Sequence, residues 1–169
     1  MTAKWYTLWA KPHKERAVAH ALSLQGIEYF LPMVKVNPKN PRAAKMRPYF
    51  PGYLFIHTNM AKLGVNHFNW FPGTRGLVSF ADDPAVVPDN LIDQIQRQLA
   101  TIDKAGGLVF DNLNQGDKVR IKSGPFEGYE AMFDMRLAGK DRVQVLLAFL
   151  SNYPQKLVLD SADIEKVGR

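Results

Sequence analysis

The chain has 169 residues, enough for one ordinary domain or two small ones, and 22 basic against 16 acidic side chains give a net charge of +6. It contains no cysteine, which excludes disulfide stapling, thiolate catalysis and cysteine-based zinc sites. No window reaches the roughly eighteen apolar residues of a membrane span, and residues 1–10 lack a signal-type apolar run, so the expectation is a soluble cytoplasmic protein.

Residues 5–9, Trp-Tyr-Thr-Leu-Trp, are aromatic and β-branched and predict a strand. An alanine-rich helix over 14–25 follows, with Ala17, Ala21, Leu22 and Leu24, and Gly26 stops it. Residues 27–31 predict a second strand ended by Pro32. The basic loop 35–47 comes next and carries Lys35, Lys39, Arg42, Lys45 and Arg47 with no acidic residue. Residues 1–50 hold nine basic against two acidic side chains, whereas 51–100 hold three against four and 101–169 ten against ten. The whole excess therefore sits in the first third. A clustered basic face of this kind favours a polyanion, most simply nucleic acid, through phosphate neutralisation, although a solvated loop would carry the same composition.

The stretch Tyr49-Phe50-Pro51-Gly52-Tyr53-Leu54-Phe55-Ile56 turns at Pro-Gly and predicts a central strand over 53–58. Phe50, Tyr53 and Phe55 are more aromatic surface than one core face needs, so both a buried strand and a docking patch fit them. Asn59 is placed to cap a helix over 60–70, which Gly64 weakens. Pro72-Gly73 turns the chain into a fourth strand, 77–80, and Asp89 opens a helix with Leu91, Ile92, Ile95 and Leu99 along one face. The order β-α-β-β-α-β followed by a helix predicts an α+β fold, a split βαβ antiparallel sheet with helices on one side and the other face needing cover.

Residues 101–114 contain Gly106-Gly107 and no periodicity, and are read as a linker between domains at 1–100 and 115–169. Short alternating segments at 116–122, 129–135, 142–149, 156–159 and 164–167 predict five strands of a small SH3-like barrel. One segment fits two periods. Val143, Leu146, Leu147 and Leu150 form a helical stripe, while Val143, Val145, Leu147 and Phe149 alternate as a strand.

Gly116, Val119, Ile121, Gly124, Phe126, Gly128 and Ala131 carry a KOW signature. Trp5-Tyr6, Phe50-Pro51-Gly52-Tyr53-Leu54-Phe55 and Thr74-Arg75-Gly76 resemble the N-terminal domain of NusG-family transcription elongation factors. Pro84-Ala85-Val86-Val87-Pro88 is similar to the specialised RfaH-type paralogues, and the likeness spans nearly the full chain in the same domain order.

That resemblance implies a non-enzymatic elongation and antitermination factor that binds the β′ clamp helices of RNA polymerase and meets its β subunit, at positions matching Trp9, Phe50, Tyr53, Phe55, Phe80, Ile92 and Ile95. It also implies contact with non-template DNA through Lys11, His13, Lys14, Arg16, His67, Trp70 and Arg75, with packing as the alternative for His67 and Trp70. In the KOW half the implied partner positions, toward the first domain or toward a ribosomal protein or termination factor, are Phe126, Phe133, Arg142, Leu146 and Leu150, with Arg47 on the facing side. RfaH-type chains hold this half as a helical hairpin over the apolar patch until recruitment. They place an acidic residue three positions before the Phe-Pro pair, opposite an arginine; this chain has Arg47 there, facing Arg142.

No phosphate-cradling glycine loop, paired-carboxylate motif or metal-ligand cluster is present, so neither enzyme activity nor a cofactor is expected, and the chain is expected to be a monomer. A KOW-type RNA-binding or ribosome-associated module is the rival reading. It needs charge and stacking, whereas polymerase docking needs Phe50, Tyr53 and Ile92 exposed together.

Overall fold

The computed structural model describes residues 2–36, 42, 45–107, 132, 133 and 138–158. In chain order the elements are β1 (Lys4–Ala10), α1 (Glu15–Leu24), β2 (Glu28–Phe30), β3 (Met33–Lys35), β4 (Met46–Pro48), β5 (Tyr53–Thr58), α2 (Met60–Leu63), α3 (Val65–Asn69), β6 (Thr74–Leu77), β7 (Ser79–Phe80), β8 (Asp83–Pro84), β9 (Val86–Val87), α4 (Asp89–Lys104) and α5 (Gly139–Val158). The main sheet runs β2-β5-β1-β6, antiparallel throughout, and β9 adds to β1. This is the expected α+β arrangement, with the strand order of a split βαβ unit.

Alternation along the two central strands sends side chains to two cores. Tyr6, Leu8 and Ala10 of β1 and Leu54 and Ile56 of β5 face one core, closed by Val18, Ala19 and Leu22 of α1 and Phe68 of α3. On the opposite face Phe55 joins Tyr49 and Phe50, with Trp5 and Tyr53 at the margin. Leu91, Ile92 and Ile95 of α4 and Val145, Leu146, Phe149 and Leu150 of α5 close that second core. The face expected to need cover is thus covered by two helices.

Local chemistry accounts for the departures from expectation. The helix expected over 60–70 is two short helices, because Gly64 at φ +85° ends α2 and starts α3. Asn59 does cap α2, its side chain accepting from Ala61 N at 3.0 Å. The strand expected at 77–80 lies earlier, as β6, and Ser79–Phe80 instead pairs with Asp83–Pro84. The basic loop is flanked by the β3–β4 hairpin, in which Val34 pairs with Arg47. The helix opened by Asp89 continues through Lys104, four residues into the segment read as linker.

The largest difference lies in the second half. The strand expected at 142–149 is the interior of α5, and the strand expected at 156–159 is helical through Val158. Met132 and Phe133 form a short 3-10 turn where a strand over 129–135 was expected. In α5 the helical stripe wins because Leu146 and Leu150 find an apolar partner face on the first half of the chain. The barrel strands expected at 116–122 and 164–167 lie outside the described residues. No helix among the described residues is long and apolar enough to cross a membrane.

Candidate functional site

Phe50, Phe55, Ile92 and Ile95 converge on one patch, drawn together by the turn before β5, the centre of β5 and one face of α4. They are buried, in the same cluster as Leu146 and Leu150 of α5. Tyr53 and Phe80 pack at the cluster margin. The polymerase reading required Phe50, Tyr53 and Ile92 to be exposed together; in this structure Phe50 and Ile92 are buried, in one cluster with residues of α5. Trp9 is the exception among the expected docking residues. It is 41% exposed, its ring parallel to Tyr53 within 1° at 6.2 Å between centroids.

The start of α5 is held to the first half by contacts that sequence reasoning did not identify. Arg142, the buried arginine of α5, donates its Nε–H to the Tyr49 carbonyl at 2.9 Å and places its guanidinium 4.2 Å from the centre of the Tyr49 ring. The Tyr49 hydroxyl in turn donates to the Met132 carbonyl. Gln98 on α4 donates to the Phe133 carbonyl at 2.7 Å. Burial pulls the Arg142 pKa below the ordinary guanidinium value, and the nearby Tyr49 and Asp141 act the other way. Gly139 packs on Pro51 so closely that an added Cβ would lie 2.7 Å from Pro51 Cγ.

Arg47 and Arg142 both line one cavity beside this contact. Two arginines make no ion pair with each other, and the Tyr49 carbonyl and ring receive Arg142 in this chain. The signal for Tyr49 was present, since it is the first aromatic of the 49–56 run, but its partners lie 83 and 93 positions away. Phe133 is half-buried at the margin of the apolar cluster, and Phe126 lies outside the described residues.

The cationic residues form a second surface. Lys11, His13, Lys14 and Arg16, in the turn after β1 and the first turn of α1, are all exposed. Lys11 N donates to the Gly73 carbonyl at 2.8 Å, which ties this turn to the loop that leads to Arg75. Arg75 is exposed on β6 with its guanidinium 5.0 Å from the Trp9 ring centre. Burial raises the Tyr53 pKa, and Arg75 opposes that shift. Trp70 is 84% exposed, so core packing does not explain it. His67 is exposed, with its Nε2 2.9 Å from Gln25 Oε1 and its ring in edge contact with Phe68 and Phe71.

A family described as "Transcription termination factor nusG" matches residues 3–96. A protein named "Transcription termination/antitermination protein NusG" from Pseudomonas aeruginosa is 27% identical over 181 residues, covering 99% of this chain and 100% of that protein. A solved structure titled "Domain interaction in Thermotoga maritima NusG" is similar at 22% identity with a TM-score of 0.45, covering 74% of this chain and 64% of that one.

Proposed function

The chain belongs to the NusG family of non-enzymatic transcription factors, and from that premise we propose that it is an elongation and antitermination factor whose polymerase-docking face is covered by its own second half. The docking face is Phe50, Phe55, Ile92 and Ile95, extended by Tyr53, Phe80 and the exposed Trp9. Its occupant on the polymerase is the clamp-helix pair of the β′ subunit. No bond is made or broken; binding energy biases the conformational equilibrium of the polymerase away from pausing. The single observation that carries this reading is the origin of the cover. The apolar residues of the face share one buried cluster with Val145, Leu146, Phe149 and Leu150, which come from beyond residue 107.

Displacing α5 would present a contiguous apolar surface of the kind that marks protein interaction sites. The cationic turn at Lys11, His13, Lys14 and Arg16, with Arg75, then supplies contacts to the phosphates of the non-template strand, and Trp70 offers a stacking surface for a base. His67 lies on α3, the helix that Trp70 ends. The second half would recruit a ribosomal protein or termination factor once released.

The test compares binding of RNA polymerase by the full chain and by a chain ending at Gly107, which keeps α4 whole. Tighter binding by the shorter chain is the expected result. Equal binding would make the factor constitutively open. If neither binds, the polymerase reading fails and the KOW-type RNA-binding alternative replaces it.

A further inference from the structure

Thr7 sets a hydroxyl within the covered apolar face. Tyr6 and Leu8 belong to the first core, so alternation along β1 turns Thr7 toward the second. It lies directly opposite Phe55 in the β1–β5 register, between Trp5 and Trp9 on its own strand, and Trp9 lies opposite Tyr53. Phe55, Trp9 and Tyr53 of the docking face are therefore its neighbours across the strands, along the strand and on the diagonal. Thr7 has no solvent exposure, and its Oγ1 is buried with no hydrogen-bond partner among the described residues.

The path of α5 accounts for the cover. Its first residue packs on Pro51, in the turn before β5, and α5 also contacts β9. Trp5 and Tyr6 of β1 pair with β5 on one edge and with β9 on the other. A helix that starts beside β5 and touches β9 crosses β1. What it brings to this face is apolar, namely Val145, Leu146, Phe149 and Leu150. A hydroxyl enclosed by such residues loses its bond to water and gains none.

We propose that Thr7 is a recognition residue of the docking face, its hydroxyl unpaired under α5 and hydrogen-bonded to a polar group of the polymerase once α5 is displaced. The proposal rests on the polymerase reading above and adds to its specificity. A polymerase surface that stands in water before this protein arrives carries polar groups among its apolar ones, so it holds a partner that α5 lacks. One oxygen thus opposes the cover and favours what replaces it, which is discrimination by a polar group left unpaired in one of two complexes.

Hydrogen exchange across 139–151 and polymerase affinity, both measured on the full chain, test the proposal. The variants are Thr7→Val, alone and combined with Leu146→Gln, which puts an amide into the cluster that α5 closes. Valine keeps the branched shape of threonine without the hydroxyl. Thr7→Val alone should slow exchange about fivefold or more, because the unpaired group is gone. Thr7→Ser keeps the hydroxyl and should not slow it; equal slowing by both overturns the proposal. In the Leu146→Gln background, with α5 released, Thr7→Val should weaken polymerase binding about threefold to tenfold, the worth of one hydrogen bond. Without Leu146→Gln the loss should be larger, since α5 then also holds more tightly. Unchanged or faster exchange in Thr7→Val overturns the proposal, as does unchanged polymerase affinity in the released background. Slower exchange across 89–104 in that background would place the hydroxyl beneath α4 and overturn it too. Failure of the Leu146→Gln chain to bind polymerase at all overturns the functional reading, and the recognition role with it. Retained binding that ignores Thr7→Val overturns the recognition role alone.

Discussion

Gly139→Ala sets two local effects against each other, and the sign of the result identifies which controls the docking of α5. Gly139 is the first residue of the helix and is not among the glycines with positive φ, so alanine suits its backbone. By propensity alone the substitution favours the helix by roughly 0.5–1 kcal/mol. The new Cβ, however, would lie 2.7 Å from Pro51 Cγ and 2.8 Å from Pro51 Cδ. A proline ring is rigid, so the strain must move α5 or the turn before β5. Overpacking of this kind costs about 1–3 kcal/mol. The docked form should therefore lose up to about 2.5 kcal/mol net, and about 1 kcal/mol at the middle of the two ranges, a roughly fivefold to tenfold shift toward release. Hydrogen exchange of residues 139–151 in the full chain reads the docking equilibrium, and polymerase affinity reads its consequence. Exchange should quicken and affinity should rise. Slower exchange with weaker polymerase binding would mean that helix propensity governs the equilibrium, and the steric account of the Pro51 contact would be refuted.

Arg142→Gln removes a buried hydrogen-bonded charge and should destabilise docking by about 2–5 kcal/mol, whereas Tyr49→Phe keeps the ring under the guanidinium and should cost about 1 kcal/mol. Equal effects of the two in an exchange experiment would contradict the central role given to Arg142. Arg47→Glu places a carboxylate on the cavity wall that Arg142 shares, and should tighten docking by up to about fivefold at low salt, with the gain fading as salt is added. An unchanged docking equilibrium would separate the two side chains energetically. Trp70→Ala should leave the melting temperature nearly unchanged, since the side chain is 84% exposed, and should weaken single-stranded DNA binding by about 1–3 kcal/mol as measured by fluorescence anisotropy.

The first half of the fold was legible because its signals are local. Aromatic and β-branched runs at 5–9 and 53–58 and the glycine after α1 mark these elements in their own residues, even though the strands then pair with distant ones. The strand order followed from the sequence of elements. Gly64 announced a weakness but not which of its two helices would survive; both do, as short pieces. Six of the candidate docking residues, all but Trp9, lie in or against one apolar cluster, yet their exposure was not readable. Whether Phe50 faces solvent depends on residues nearly a hundred positions later. The same distance hid Tyr49, whose carbonyl, ring and hydroxyl all find partners in the second half.

The doubled pattern in α5 has a mechanical meaning once its buried residues are known. As a helix the segment buries Val145, Leu146, Phe149 and Leu150, while Val143 and Leu147 are only half-buried. Run as a strand, the same residues would sort differently: Val143, Val145, Leu147 and Phe149 would share one face, and Leu146 would point to the other. Leu146 is thus a residue that the docked helix needs and a strand does not. Leu146→Gln places an amide against the Phe50 and Ile92 cluster and should cost docking roughly 2–4 kcal/mol in lost burial and amide desolvation. Leu147→Gln should cost docking far less and should instead penalise any strand that buries it. If the segment serves both structures, circular dichroism will separate the two full-length variants, with helix lost on Leu146→Gln and retained on Leu147→Gln. Equal loss of helix in both would mean that α5 is held by its overall apolar content, and the selective role of Leu146 against Phe50 would have to be abandoned.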